Sequence, residues 1–349
     1  MGLQEHVQKT VDELVAAGAE AAVQVAVYLD GRLIVDVQAG DGVGPDSLFY
    51  SYSTGKGLTA TAVHVLAEHG AIDYDLRIAD VWPEYAQNGK EGTTLRHALT
   101  HSAGVPVLPS SITAEDFADW DRMCAIVAES VPVWTPGEQH GYHAWTFGWL
   151  IGETVRRATG RTLAEVLAAE IAVPLGISGE LYFGVPPSEV DRVVPLADRN
   201  WSAAVEALCA QLPRLNLIAP PGVRPGAELG NRLVTIDTPA TGTMSARAAA
   251  RMYAALAGEV DGVRLVSPER LRLMTSVAMD GPDWALGGDG PKTLGYALDG
   301  GMIGWSGSGG SIAGMAPSRG LSIAITKNLL GFGDDDPMEK LREYVLAAV

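Results

Sequence analysis

The chain has 349 residues, 47% hydrophobic and 19% charged, with 42 acidic against 25 basic residues and a formal net charge of −17. A chain of this length buries a large core in one big or two intimate domains. Its acidic balance argues against nucleic acid or an anionic membrane surface as a partner.

The first ten residues carry neither the basic nor the apolar region of a signal peptide. Gly2 fails as a myristoylation site because His6 stands where Ser or Thr is required. No apolar run reaches the length of a membrane span, so a soluble, cytoplasmic protein is the expectation. Leu3, Val7, Val11, Leu14 and Val15 fall at helical spacing, and Gly18 closes that helix. Residues 21–29 and 33–39 read as strands around an Asp30-Gly31 hairpin turn. A helix is predicted from Ser53 through His69, stopped by Gly70. Most of 75–235 reads as helices, among them 114–130 and 146–159, and as proline-rich loops such as 220–225. Strand-like runs return at 294–298, 310–315 and 321–326, and a helix with Met338, Leu341 and Val345 on one face ends the chain. Hydrophobic ends around a helical middle predict an α/β protein whose sheet is assembled from both termini. Residues 1–75 with 236–349 would form a discontinuous mixed domain, and 76–235 a mostly helical one.

Chemistry enters at Phe49-Tyr-Ser-Tyr-Ser-Thr-Gly-Lys-Gly-Leu58. Positions three apart on a helix share a face, so a helix beginning near Ser53 brings the Lys56 amine within reach of the Ser53 hydroxyl. Of the six lysines, only Lys56 has serine three positions before it. Taken alone, the motif is weak, and the plainer reading is a serine N-cap followed by a solvated first-turn lysine. The histidines, at 6, 64, 69, 97, 101, 140 and 143, argue against one competing chemistry. An α/β-hydrolase needs Gly-x-Ser-x-Gly followed by an acid and then a histidine near the C-terminus. That pentapeptide is absent and no histidine follows residue 143. With only Cys124 and Cys209, and no Cys/His cluster of ligand spacing, neither a disulfide framework nor a metal or other cofactor is expected.

Three further segments resemble the serine β-lactamase and penicillin-binding-protein superfamily, most closely its class C-like branch of family VIII carboxylesterases and transacylases. Thr94-Leu-Arg-His-Ala-Leu-Thr-His-Ser-Ala-Gly-Val-Pro106 is similar to that branch's T-[IV]-R-x-L-L-x-H-T-S-G-L segment. Trp134-Thr-Pro-Gly137 followed by Tyr142 resembles its W-x-P-G…Y-x-N block, and Gly304-Trp-Ser-Gly-Ser-Gly-Gly-Ser311 resembles the strand that closes the active site. The resemblance implies a β-lactamase/DD-peptidase-like fold, an antiparallel sheet flanked by helices plus a mostly helical domain, with the active site between them. It implies Ser53 as nucleophile, Lys56 as base and Tyr142 as proton relay. It further implies backbone N–H groups of Ser53 and Ser308 as oxyanion donors, with Gly307 letting substrate approach the strand.

Two departures from the family pattern bear on substrate. Ala144 replaces the asparagine of Tyr-x-Asn, and Trp305 replaces the cation of K-T-G or H-x-G. A missing charge-assisted hydrogen bond is worth about 1.5–3 kcal/mol, which disfavours a β-lactam or peptide carboxylate. An indole offers an apolar wall suited to an ester. Lys292-Thr293 mimics K-T-G but is followed by Leu294, so it reads as a decoy. His143 could tune the site and Tyr52 and Trp145 could line an acyl pocket, although aromatics around a cleft are more often core. His101 and Ser102 read as loop stabilisers, Asp73 and Asp75 as turn and cap residues, and Arg96 and Glu153 as structural ion-pair groups. The function expected is a carboxylesterase acting on a small-molecule ester. The alternatives are a transacylase with an alcohol or amine acceptor, a β-lactamase or D-amino-acid peptidase or amidase, and a non-catalytic binding or sensor protein of the same fold.

Overall fold

The structure, a computed structural model, describes residues 2–332 and 336–349. The helix Leu3–Ala16 is followed by Gly18 at φ 69°. Strand β1 (Val23–Leu29) turns through Asp30 and Gly31 into β2 (Arg32–Ala39), and both turn residues have positive φ. That conformation is why Asp-Gly occupies this hairpin. Strand β3 (Leu48–Tyr50) leads to Ser53. Three two-residue strands punctuate the helical middle: β4 (Leu181–Tyr182), β5 (Val193–Val194) and β6 (Ala197–Asp198). Then come β7 (Thr243–Met244), β8 (Ala297–Asp299), β9 (Met302–Ser306), β10 (Ile312–Ala316), β11 (Leu321–Lys327) and β12 (Leu329–Leu330).

Both ends of the chain meet in one six-stranded antiparallel sheet of order β2-β1-β11-β10-β9-β8. In its register Val25 lies opposite Ile325 and Ala26 opposite Ala324. Alternation along the strands sorts the two faces. Val23, Val25, Val27, Ile323 and Ile325 pack with Val7, Val11, Leu341 and Val345 of the terminal helices Leu3–Ala16 and Pro337–Ala348. The other face presents Ala26, Ala313 and Ala324, against which the alanine-rich helix Ala246–Ala257 lies. Small side chains on both surfaces let helix and sheet approach closely. Helix Lys56–Glu68 joins the same core and is buried from Lys56 through Ala67. A helix buried all round is an interior element, so the residues at its start have a rigid seat. A second sheet, of order β4-β7-β3-β5, anchors the chain just ahead of Ser53.

Several elements differ from the sequence-based expectation. The Ser53 helix opens as a 3-10 turn over Tyr52–Gly55 before the α-helix begins at Lys56. The helix expected over 114–130 is divided into a 3-10 turn, Asp116–Ala118, and a helix, Trp120–Glu129. Asp119 causes the break, because its carboxylate accepts the Arg122 N–H and starts a new helix there. Residues 294–296 lie outside the strand expected at 294–298, with Gly295 at φ 89° just ahead of β8. Helix Thr146–Thr159 ends where expected, at Gly160 with φ 73°. Among the described residues, no helix is long and apolar enough to cross a membrane.

Candidate active site

The segment that presents Ser53 is bent by Tyr52, a non-glycine residue at φ 45°. A left-handed conformation costs an ordinary residue roughly 1–2 kcal/mol. The cost is offset by burial of the Tyr52 ring and by its hydroxyl, which donates to Gly226 O at 2.6 Å and accepts from Gly226 N at 3.0 Å. The bend leaves Ser53 half-buried, one turn from Lys56.

Three side chains meet at the Ser53 hydroxyl. Tyr142 Oη lies 2.5 Å from Ser53 Oγ, and Lys56 Nζ lies 3.1 Å from it. The Lys56 amine is fully buried and also donates to Ala144 O at 2.7 Å and Ala240 O at 3.0 Å. Burial lowers its pKa well below the ordinary lysine value. Burial likewise raises the Tyr142 hydroxyl, with Asp283 adding to the rise and the Ser53 hydrogen bond opposing it. At neutral pH Tyr142 is therefore a phenol.

The turn between β9 and β10 closes over this cluster. A Cβ on Gly307 would stand 2.0 Å from Ser51 O, so only glycine allows the turn to sit so near. Thr54 Oγ1 donates to Ser311 O at 3.1 Å and ties the two segments together. Within the turn Gly307 N donates to Ser311 O and Gly310 N to Gly307 O, while the Ser308 N–H enters none of these bonds. Trp305, 8% exposed, donates from Nε1 to Gly295 O at 2.7 Å and holds its ring 5.8 Å from that of Tyr142. Ser53, Lys56, Tyr142, Trp305 and the Gly307–Ser308 turn, named separately from sequence, are thus neighbours in space.

The secondary candidates sort differently. His143 is turned away: Nδ1 donates to Gly141 O at 2.7 Å and Nε2 accepts the Val105 N–H at 3.1 Å. Tyr52 and Trp145 are core residues, at 1% and 2% exposure. Arg96 pairs with Asp75, Asp73 caps the Asp75 N–H, and Glu153 binds Arg156, Arg157 and Trp120, all structural roles. His101 does hold a loop, accepting the Gly141 N–H at its carbonyl and the His143 N–H at Nδ1. Its ring also packs 5.4 Å from Tyr142 and 5.3 Å from Trp305, a contact that sequence reasoning missed. The carbonyls that hold Lys56 were missed as well, because a backbone acceptor has no residue signature. The decoy Lys292 lies 4.0 Å from the buried Asp283 carboxylate, in the segment that runs on to Gly295 beneath Trp305.

An antiparallel sheet covered by helices on both faces, with serine and lysine one turn apart against it, defines the serine hydrolase class of the β-lactamase and penicillin-binding proteins. The chain belongs to the Beta-lactamase family, matched over residues 7–347. It is 35% identical over 334 residues to esterase/beta-lactamase LipL of Mycobacterium tuberculosis (strain ATCC 25618 / H37Rv), covering 88% of this chain and 76% of that protein. It superposes with a TM-score of 0.88 on a family VIII carboxylesterase, at 29% identity and covering 99% of this chain and 98% of the other. A penicillin-binding protein homologue from Caulobacter crescentus is similar at TM-score 0.85 and 32% identity, with 99% and 98% covered.

Proposed function

We propose that this serine hydrolase is a carboxylesterase that passes the acyl group of a small or medium ester to Ser53 and then to water. The observation that carries the reading is the convergence of Lys56 and Tyr142 on Ser53 Oγ. A neutral amine has two N–H donors and one lone pair. With its donors spent on Ala144 O and Ala240 O, its lone pair is left for the Ser53 O–H. Tyr142 then donates its own O–H to Ser53 Oγ.

Attack forms the bond from Ser53 Oγ to the acyl carbon as the Ser53 proton moves to Lys56. The N–H groups of Ser53, at the opening of a helix, and of Ser308 stabilise the oxyanion. As the ester C–O bond breaks, the departing alkoxide takes the Tyr142 proton, and Lys56 returns one to Tyr142. Water enters by the reverse path and releases the acid. The cleft lies between a mixed domain of residues 1–75 with 236–349 and a helical domain of 76–235. The β4-β7-β3-β5 sheet joins them, since β3 and β7 come from the first and β4 and β5 from the second.

The surroundings favour an uncharged ester over a carboxylate-bearing substrate. Position 305 offers an indole, and the nearby Lys292 ammonium faces Asp283 in the interior. The Ala144 carbonyl takes over the holding of Lys56 that an asparagine side chain would provide. The test is intact-mass spectrometry after mixing with p-nitrophenyl esters of graded chain length, with and without alcohol or amine acceptors. A transient acyl adduct that is absent in Ser53→Ala and cleared by water is expected. An adduct that persists until an acceptor arrives would make the protein a transacylase, and no adduct or p-nitrophenol release with any ester would refute the reading.

A further inference from the structure

Tyr142 belongs to no helix or strand, so its position comes from what its loop is tied to. One tie is His101, described above. The other comes from a distant part of the chain. Asp283 Oδ1 accepts the Tyr142 N–H at 3.1 Å together with those of Ala285 at 2.9 Å and Leu286 at 3.0 Å. Two more bonds join the same segments: Trp284 N donates to His140 O at 3.0 Å, and His140 Nε2 donates to Gly281 O at 2.9 Å.

The carboxylate at this joint is 3% exposed, with His140 Nδ1 at 3.7 Å and Lys292 Nζ at 4.0 Å from Oδ2. Burial pushes the Asp283 carboxyl up, but His140 and the three N–H donors outweigh it and hold the pKa at about 2. Hydrogen bonds to an ionised acceptor are about twice as strong as neutral ones. Gly141 leaves the segment no slack, since a Cβ there would meet the rings of Trp134 and the Trp284 side chain at 2.8 Å.

We propose that Asp283 is a positioning residue for the reaction, holding the Tyr142 main chain so that the phenol stays against Ser53 Oγ, with Lys292 offsetting the buried charge. The inference rests on the role proposed above for Tyr142. It also gives Lys292 a function: the ammonium that resembles a misplaced substrate anchor neutralises the joint beneath the relay.

A double-mutant cycle on the full chain tests it, because residues that act through one another give non-additive effects. A misplacement of about 1 Å costs on the order of 10²-fold in rate. Asp283→Ala should therefore lower kcat on a p-nitrophenyl ester by about 10- to 100-fold, with KM within about threefold. Asp283→Asn, whose amide oxygen can still accept the Tyr142 N–H but carries no charge, should lose only about three- to tenfold in kcat. In a Tyr142→Phe background Asp283→Ala should cost less than about threefold, since no hydroxyl remains to be placed. Equal losses with and without the hydroxyl, or a wild-type kcat in Asp283→Ala, would overturn the proposal. A wild-type kcat in Tyr142→Phe alone would overturn the Tyr142 role itself, and this proposal with it. Should Asp283→Ala not fold, Asp283→Asn in both backgrounds decides the matter: a three- to tenfold loss confined to the chain with the hydroxyl supports it, and an equal loss or none in both overturns it.

Discussion

Replacing Lys56 by methionine keeps an unbranched chain at the same buried position and removes the amine. The structure predicts that the informative change is in how stability depends on pH. Lys56 is fully buried, bonded to two carbonyls and a hydroxyl, and its pKa is lowered by burial. In the unfolded chain it titrates near 10.4. Between the depressed folded value and about 10.4 the unfolded chain binds one proton more than the folded chain. The free energy of unfolding therefore rises with pH in that window, by about 1.4 kcal/mol per unit. Below the folded value the slope disappears and the penalty is largest. The Lys56→Met chain carries a pH-independent offset, because Ala144 O and Ala240 O lose a donor at about 1–3 kcal/mol each. It lacks the slope. Other titrating groups cancel in the difference, so urea unfolding of both chains at rising pH below about 10.4 should show wild type gaining on Lys56→Met, by up to about 1.4 kcal/mol per unit. Parallel stability curves would mean that Lys56 is charged in the folded chain, and the base role would fail with the slope.

Gly307→Ala should lower both stability, by about 1–3 kcal/mol, and the rate of Ser53 acylation, by tenfold or more. The added Cβ would collide with Ser51 O and Thr54 Oγ1; unchanged melting and burst kinetics would refute the close seat of the turn. Glu20→Ala leaves the Lys327 ammonium, 2.5 Å from Glu20 and 1% exposed, without its nearest carboxylate. Chemical denaturation should show a loss of about 3–5 kcal/mol. Trp305→Ala removes the indole and its bond to Gly295 O, and should raise KM for longer p-nitrophenyl esters by about 5- to 30-fold, from about 1–2 kcal/mol of lost apolar contact. An equal rise for the acetate and the longest ester would refute an acyl-facing indole.

The features legible in the sequence are those set by neighbours along the chain. Asp30-Gly31 turns β1 into β2 because both residues tolerate positive φ, and Gly160 ends the helix Thr146–Thr159 for the same reason. The spacing of Ser53 and Lys56 holds across the change from 3-10 turn to α-helix, because both conformations place residues three apart on one side. The strand-like runs at 21–29 and 321–326 forecast two strands, and their occurrence at opposite ends of the chain forecast a shared sheet.

What tertiary structure alone decided is how side chains separated by long stretches of chain are set against one another. Nothing local marks Ala144 and Ala240 as the acceptors of Lys56, since any residue supplies a carbonyl. Nothing marks Asp283 as the partner of the Tyr142 N–H, 141 positions away. His143 and His101 lie in comparable motifs, yet one points into a loop and the other packs against Tyr142 and Trp305. The order of apolar runs along this chain therefore pointed to a sheet shared by both termini, and its motifs pointed to Ser53 and Lys56 as the pair proposed here for nucleophile and base. The lowered pKa of Lys56, and the placement of the Tyr142 hydroxyl against Ser53, follow from burial and long-range hydrogen bonds, which exist only once the sheet has closed around the Ser53 helix.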